Sequence, residues 1–342
     1  MQSAFLADVQ TRHQAHLERL KAHEVREFNA VVPTIVGIIV AALAGREIAD
    51  MSRAEVLRLT RQLSREISEV TDQQIAVTEE TLAELAGAEA DFEQRSLRQA
   101  VSRTAIAGVV ASLAWRAARQ RPMSVDGALL QQFLTATRDR NRLAVANLVR
   151  RANAEGWTTG ALLAAVRGTR TANFRDGLAA RMQRSHETVM RTAVQHVSSA
   201  ARAAVWAENP SVVVGYRWLS ILDSRTTAEC RALDGRVFVL GEGPLPPIHM
   251  NCRSTVVPEL ADDVDVVGSV TVEGGTTFYE WLDRQSASVQ DSILGPTRGK
   301  LFREGGLSAD EFARLTLSQT FAPLTLAEMR KLAPVAFDRA GI

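Results

Sequence analysis

The sequence has few of the residues that cross-link small secreted proteins or interrupt helices. Its 342 residues include 2 cysteines, 10 prolines and 21 glycines. Two cysteines exclude a disulfide-rich scaffold. No proline occurs between Pro33 and Pro122, so long helices are permitted there. Aromatic residues make up 5% of the chain and the net charge is +1, so no overall charge directs it to nucleic acid or membranes.

Long apolar runs are also missing, apart from one stretch near the N-terminus. Between Glu27 and Arg46 lie 18 uncharged residues, close to the roughly 20 that a membrane span needs. Pro33 and Gly37 interrupt the stretch, so we predict a buried or oligomer-interface helix over Val31–Ala44 and no stable membrane span. The N-terminus lacks the basic start and apolar run of a signal peptide, which argues against an oxidising compartment.

Helical periodicity dominates the sequence up to about residue 208. Ser52 followed by Glu55 predicts a capping box, and helix is expected through residues 50–120. Further helices are predicted from about 129 to 154 and from 174 to 208. The apolar face predicted after the capping box consists of Val56, Leu59, Leu63, Ile67 and Val70.

The residue pattern changes after Pro210, where β-branched residues and turn signals predict short strands. We place them in residues 212–223, 236–240 and 253–258, the last ending at Pro258. The fold class predicted is a predominantly α-helical N-terminal region, followed by a small α+β module and a helical C-terminal tail. The corresponding boundaries are 1–140, 141–262 and 263–342, and the last segment starts with a linker-like stretch.

The residues with distinctive chemistry are concentrated in the α+β module. In chain order they are Trp218, Asp223, Arg225, Thr226, Cys230, Asp234, Gly235, Pro246, Pro247, His249, Asn251, Cys252 and Arg253. Gly235 provides a tight turn into the second strand, and the proline pair stiffens the approach to His249. Since both strand ends lead to one side of a small sheet, we expect Cys230, His249 and Cys252 to lie close together.

Four interpretations of these three residues stay open. They are candidate zinc ligands, but a tetrahedral site needs a fourth, which would have to be Asp223. A Cys230–Cys252 disulfide would contribute roughly 3 kcal/mol by loop entropy. The thiols can instead remain free within a polar core. A Cys–His nucleophile pair is the fourth interpretation, although no oxyanion hole or substrate pocket is recognisable.

The same cluster resembles the phage Mu F-like minor head proteins, also called the phage head morphogenesis family. The shared pattern is a helix with Arg191-Thr192, then W-x-x-x-x-D-x-R-T-x-x-x-C, D-G and P-P-x-H-x-N-C-R. The resemblance covers about residues 142–260 and extends to part of the tail, while the first 140 residues resemble no family that we can name. Ser254 stands where the family often has Cys, and Ala193 where it often has an acidic residue. Both departures weaken a four-ligand metal site.

The resemblance implies a minor structural protein of a tailed-phage head, bound to the portal and inner capsid. It would assist head assembly, DNA packaging or DNA exit, with the portal and other head proteins as partners and contact with packaged DNA. Its expected location is the interior of the virion head, and the host cytoplasm during assembly.

Residues 1–140, with their apolar helical faces, are predicted to contact the portal or capsid. We expect no enzymatic activity and no cofactor, with zinc as the only candidate. The alternatives are a membrane-active ejection protein using Val31–Ala44, and a nuclease- or toxin-type module using His249 and Asp223.

Overall fold

The computed structural model describes residues 4–267, 276–318 and 321–342, and it confirms the predicted fold class. The N-terminal helices are α1 (Ala4–Asn29), α2 (Val31–Leu43), α3 (Arg53–Ala100), α4 (Ala111–Gln120), α5 (Leu130–Ala154), α6 (Thr159–Arg167) and α7 (Leu178–Ala207). The module contains β1 (Val213–Leu219), α8 (Ala228–Leu233), β2 (Val237–Val239) and β3 (Thr255–Leu260). The tail helices are α9 (Phe278–Asp283), α10 (Ala287–Leu294), α11 (Pro296–Glu304), α12 (Ala309–Leu315), α13 (Leu326–Leu332) and α14 (Pro334–Ala340).

The longest helix, α3, begins as the sequence predicts. The Ser52 hydroxyl accepts a hydrogen bond from the backbone N–H of Glu55 at 3.3 Å. The Glu55 carboxylate in turn accepts one from the Ser52 N–H at 2.8 Å, which completes the capping box. The apolar residues of the following turns are buried, namely Val56, Leu59, Leu63 and Ile67.

The helix predicted over residues 50–120 is interrupted at 101–110. Val101 forms an isolated antiparallel bridge with Val266. The Asn209 side chain bonds both backbone groups of Ala107, at 2.7 and 3.2 Å. Hydrogen bonds from distant parts of the chain therefore replace helical ones, and the local pattern does not reveal them.

One side of α2 is buried and the other is exposed. The buried side packs against α3, α6 and α7, and its buried residues are Val31, Val32, Ile35, Ile39 and Leu43. Pro33, Gly37 and Ala41 lie on the exposed side. By length and composition, Ala4–Leu43 is the one candidate membrane span among the described residues, and 28% of its apolar window is buried. Packing of α2 into the core follows the prediction, while its outer face stays uncovered.

The three strands form an antiparallel sheet in the order β2-β1-β3. Gly215 in β1 passes so close to β2 that a Cβ would lie 2.4 Å from the carbonyl oxygen of Phe238. The prediction that Pro258 ends β3 is wrong, because Pro258 pairs with Tyr216 and the strand continues to Leu260. An edge strand tolerates proline because one side of its backbone needs no partner.

The hydrophobic core crosses the boundaries predicted at residues 140 and 262. One cluster includes Leu6 of α1, Leu82 of α3, Met190 of α7, Trp218 of β1 and Phe337 of α14. A second cluster joins α2 and the start of α3 to α5, α6 and α7. The three predicted segments therefore pack as one body. Part of the predicted linker, residues 268–275, lies outside the described residues.

Candidate metal centre

Two connections of the sheet bring the predicted site residues together. After β1, the Thr227 hydroxyl caps α8 by accepting a hydrogen bond from the backbone N–H of Cys230 at 3.5 Å. Gly235, with φ of +80°, turns the chain into β2. The connection from β2 to β3 then carries His249 and Cys252 back to the same end of the sheet.

Cys230, His249 and Cys252 form a compact cluster, as the spacing predicts. The two sulfur atoms are 3.7 Å apart, and Cys230 Sγ lies 3.1 Å from His249 Nε2. The three potential ligand atoms all lie within 4.8 Å of one another. Both cysteines are free and buried, while His249 is half-buried.

The second nitrogen of the His249 ring is fixed by the backbone. Nδ1 lies 2.9 Å from the carbonyl oxygen of Met250. Because a carbonyl oxygen only accepts hydrogen bonds, Nδ1 carries a proton and donates a hydrogen bond to this oxygen. Nε2 is thereby directed at the two sulfurs.

The cluster shifts the pKa values of its members in different directions. Burial raises the pKa of Cys252, but hydrogen bonds from Cys230 and His249 and the charge interaction with His249 outweigh this effect, so the pKa lies well below its ordinary value. The hydrogen bond with Cys252, together with burial, raises the pKa of Cys230. Burial lowers the pKa of His249, yet the interactions with Cys252 raise it further, so the net shift is upward. Of the two thiols, Cys252 therefore loses its proton more readily.

Asp223 lies beside this cluster but is bound elsewhere. Its carboxylate accepts two hydrogen bonds from the Arg253 guanidinium, at 2.8 and 2.7 Å. It also accepts one from the Arg225 backbone N–H at 2.9 Å. The hydrogen bond from Arg253 is the main reason why the Asp223 pKa is lowered. Asp223 is therefore not placed as the fourth metal ligand. The nuclease alternative requires Asp223 to pair with His249, but Asp223 pairs with Arg253 instead.

A buried set of hydrogen bonds supports the sheet end. Trp218 Nε1 donates to Ser220 Oγ at 3.0 Å, and that hydroxyl donates to the Cys230 carbonyl at 2.7 Å. Asp234 accepts from the backbone N–H groups of Ser220 and Phe278, both at 2.6 Å. Burial nevertheless raises the Asp234 pKa to about 7. The remaining motif residues Thr226, Pro246 and Pro247 are buried, and Arg225 is exposed.

The Arg191-Thr192 pair of α7 meets the loop that contains the cluster. The backbone N–H of Asn251, a residue with φ of +60°, donates to Thr192 Oγ1 at 3.1 Å. Arg191 forms ion pairs with Glu187 and with Glu18 of α1. The two halves of the motif are thus joined directly.

Sequence reasoning missed Lys21, the side chain through which α1 reaches the same loop. It is 1% exposed and donates to Glu18 Oε1 and Gln195 Oε1, both at 2.6 Å. A third, longer bond of 3.3 Å reaches the Cys252 carbonyl. Burial lowers the Lys21 pKa although Glu18 opposes the shift. The only sequence signal was its helical spacing from Leu17 and Phe28, which lie on the same buried side of α1.

The fold and the cluster define a class: a small Cys–His α+β module held within a helical protein. Residues 158–257 match the family described as Phage Mu protein F like protein, which confirms the resemblance found in the sequence. The match covers less than a third of the chain. Neither the curated proteins nor the solved structures include a significant match to the chain.

Proposed function

We propose that the protein is a minor structural component of a tailed-phage head, bound to the portal and inner capsid and assisting assembly, DNA packaging or DNA exit. Its role is structural rather than catalytic. The observation that carries the proposal is the Mu F-like match over residues 158–257, which lies within a larger helical body. One surface of that body suits packaged DNA, and a second suits the portal or inner capsid.

The first surface is a basic groove between α3 and α5, of about 710 Å³. Its lining includes the five arginines Arg58, Arg61, Arg65, Arg142 and Arg150 and no acidic residue. Within the described part of the chain, only Arg142 has an ion-pair partner, Asp139 at 3.0 Å. The three guanidinium groups of α3, together with Arg150 of α5, suit the phosphates of packaged DNA.

Charge reversal in the groove tests this contact. The triple variant Arg58→Glu, Arg61→Glu, Arg65→Glu should bind linear duplex DNA more weakly. The slope of log affinity against log salt should fall by about 2 to 3, since each lost phosphate contact removes about 0.9. The control reverses three exposed arginines outside the groove, Arg167, Arg170 and Arg181. Equal losses in both variants would show that net charge, not the groove, determines binding.

The second surface is the outer face of α2, around Gly37 and Ala41. Both residues are exposed, and a side chain added at Gly37 would meet nothing within 4 Å. An apolar, small-residue face on a helix that the core already holds on its other side suits docking on the portal or inner capsid.

Introducing Gly37→Glu and Ala41→Glu should leave the fold intact and reduce the amount of protein incorporated into heads and co-purified with the portal ring. Leu332→Glu, at a residue 66% exposed on α13, is the matched control. Normal incorporation of the α2 variant would place the contact elsewhere. The membrane alternative predicts instead that the wild type floats with liposomes and that the α2 variant does not, without any effect on incorporation.

A further inference from the structure

We propose that Cys230, Cys252 and His249 bind one Zn²⁺ ion through their two sulfurs and Nε2. The site goes beyond the proposed role in the phage head and does not depend on it. Two thiolates and an imidazole are a donor set that zinc accepts readily. The proposal rests on how closely the three side chains already approach a coordination geometry.

The sulfur–sulfur distance matches the edge of a zinc tetrahedron. With Zn–S bonds of about 2.3 Å, two thiolate ligands stand about 3.8 Å apart. The observed separation of Cys230 Sγ and Cys252 Sγ is 3.7 Å. A sulfur and an imidazole nitrogen on one zinc ion would be about 3.5 Å apart, against 3.1 Å between Cys230 Sγ and His249 Nε2. A small outward movement of the His249 ring, of about 0.4 Å, would therefore give the spacing that a bound zinc ion requires.

The surroundings hold the ligands in the form that a metal needs. The bond from His249 Nδ1 to the Met250 carbonyl is the outer contact that orients metal-bound histidines and leaves Nε2 for the ion. Since zinc takes two thiolates and a neutral imidazole, the cluster releases two protons to solvent when the ion binds.

The fourth position is left to a water molecule. Among the described residues, the group that can hold a metal contains three members only, and Asp223 is engaged by Arg253. His249 is half-buried and its neighbour Met250 is 40% exposed, so solvent reaches the cluster from that side. Ser254 is buried two residues after Cys252, and its hydroxyl lies 3.3 Å from Ser220 Oγ, the group that donates to the Cys230 carbonyl. A cysteine at this position is therefore the candidate for a fourth protein ligand.

The test measures zinc in the purified full-length chain by mass spectrometry, and records the visible spectrum after replacement of zinc by Co²⁺. We expect one zinc per chain and a thiolate-to-cobalt charge-transfer band. Cys252→Ser and His249→Gln should lose the metal, whereas His23→Gln, at an exposed histidine of α1, should retain it. Ser254→Cys should hold zinc against a chelator at least about tenfold better, the scale on which coordination contacts change affinity.

Two results would overturn the proposal. One is a folded wild-type chain that takes up no zinc or cobalt, whether its thiols are free or joined in a disulfide. The other is zinc content that Cys252→Ser and His249→Gln leave unchanged, which would place the ion elsewhere. A ligand variant can lose its metal simply because it unfolds. The cobalt spectrum of the wild type and the slower loss of zinc to a chelator in Ser254→Cys do not have this ambiguity, because both are measured on folded protein.

Discussion

Buried polar side chains join α1 to the rest of the molecule. Arg202 of α7 is fully buried and donates to Gln10 of α1 and to Thr255 of β3. Its Nε lies 3.7 Å from a carboxylate oxygen of Glu89, which also contacts His13. The burial of each charged or polar side chain in this network is compensated by its hydrogen bonds and ion pairs with the others, so removal of one leaves its partners unsatisfied.

Arg202→Met should therefore destabilise the protein by about 3–5 kcal/mol, because it leaves the buried Glu89 carboxylate without its cation. The free energy of unfolding, measured by urea denaturation, tests this. Arg26→Met, at an exposed arginine of α1, is the control. A loss below about 1 kcal/mol for Arg202→Met would mean that His13 alone compensates Glu89.

His186 predicts a pH dependence of stability. Burial, with a smaller contribution from Arg140, lowers its pKa to about 4. The ring contacts Asn29 and Asn141. Because the unfolded chain takes up the proton first, near pH 6.5, the stabilisation is complete above that pH and is lost progressively as the pH falls from about 6.5 to about 4.

Between pH 7 and pH 4.5 the wild type should lose about 2 kcal/mol more than His186→Gln, as the pKa difference between the two states requires. Urea denaturation followed by tryptophan fluorescence at both pH values measures the difference. His23→Gln should lose as much as the wild type. If the free energy of unfolding fell equally with pH in the wild type and in His186→Gln, the lowered pKa of His186 would be contradicted.

At the scale of elements, the start of α3 offers a separate test. Removing the N-cap hydroxyl by Ser52→Ala should cost about 1 kcal/mol and reduce hydrogen-exchange protection in the first turn of α3. Ser64→Ala, within the same helix, removes a hydroxyl without affecting a cap. Unchanged protection at the start of α3 would show that packing of α2, not the cap, fixes this end.

Local pattern predicted most elements, because helical periodicity, capping boxes and β-branched runs act within a few residues. The break at residues 101–110 was not predictable, since Asn209 supplies its hydrogen bonds from another part of the chain. The continuation of β3 through Pro258 depends on its edge position, which only the sheet order reveals. Convergence of the Cys–His cluster followed from spacing, whereas the buried Lys21 contact did not.

At the scale of the whole molecule, the Mu F-like segment depends on elements outside it. Lys21 of α1 bonds the Cys252 carbonyl, and the Phe278 N–H of α9 bonds Asp234. The main hydrophobic cluster likewise extends from Leu6 to Ala340. The segment is therefore one part of a shared core.

Residues 158–257 produced alone should not unfold cooperatively, because α1, α3 and α9 supply partners for buried groups. Circular dichroism during heating compares this fragment with the full chain, which should give a sigmoidal transition. A sharp transition in the fragment would show that the module folds independently, as the boundaries predicted from the sequence suggest.

The bond between Lys21 and the Cys252 carbonyl also constrains the order of events during synthesis. Its two ends are 231 residues apart, so at about 5–20 residues per second the ribosome needs roughly 12–46 s to make the second after the first. During that interval α3 and α7, which supply most of the contacts of α1, are translated, but the loop that contains Cys252 is not. The helix made first thus obtains its last contacts late, and a nascent chain halted before residue 252 would leave the Lys21 side of α1 uncovered.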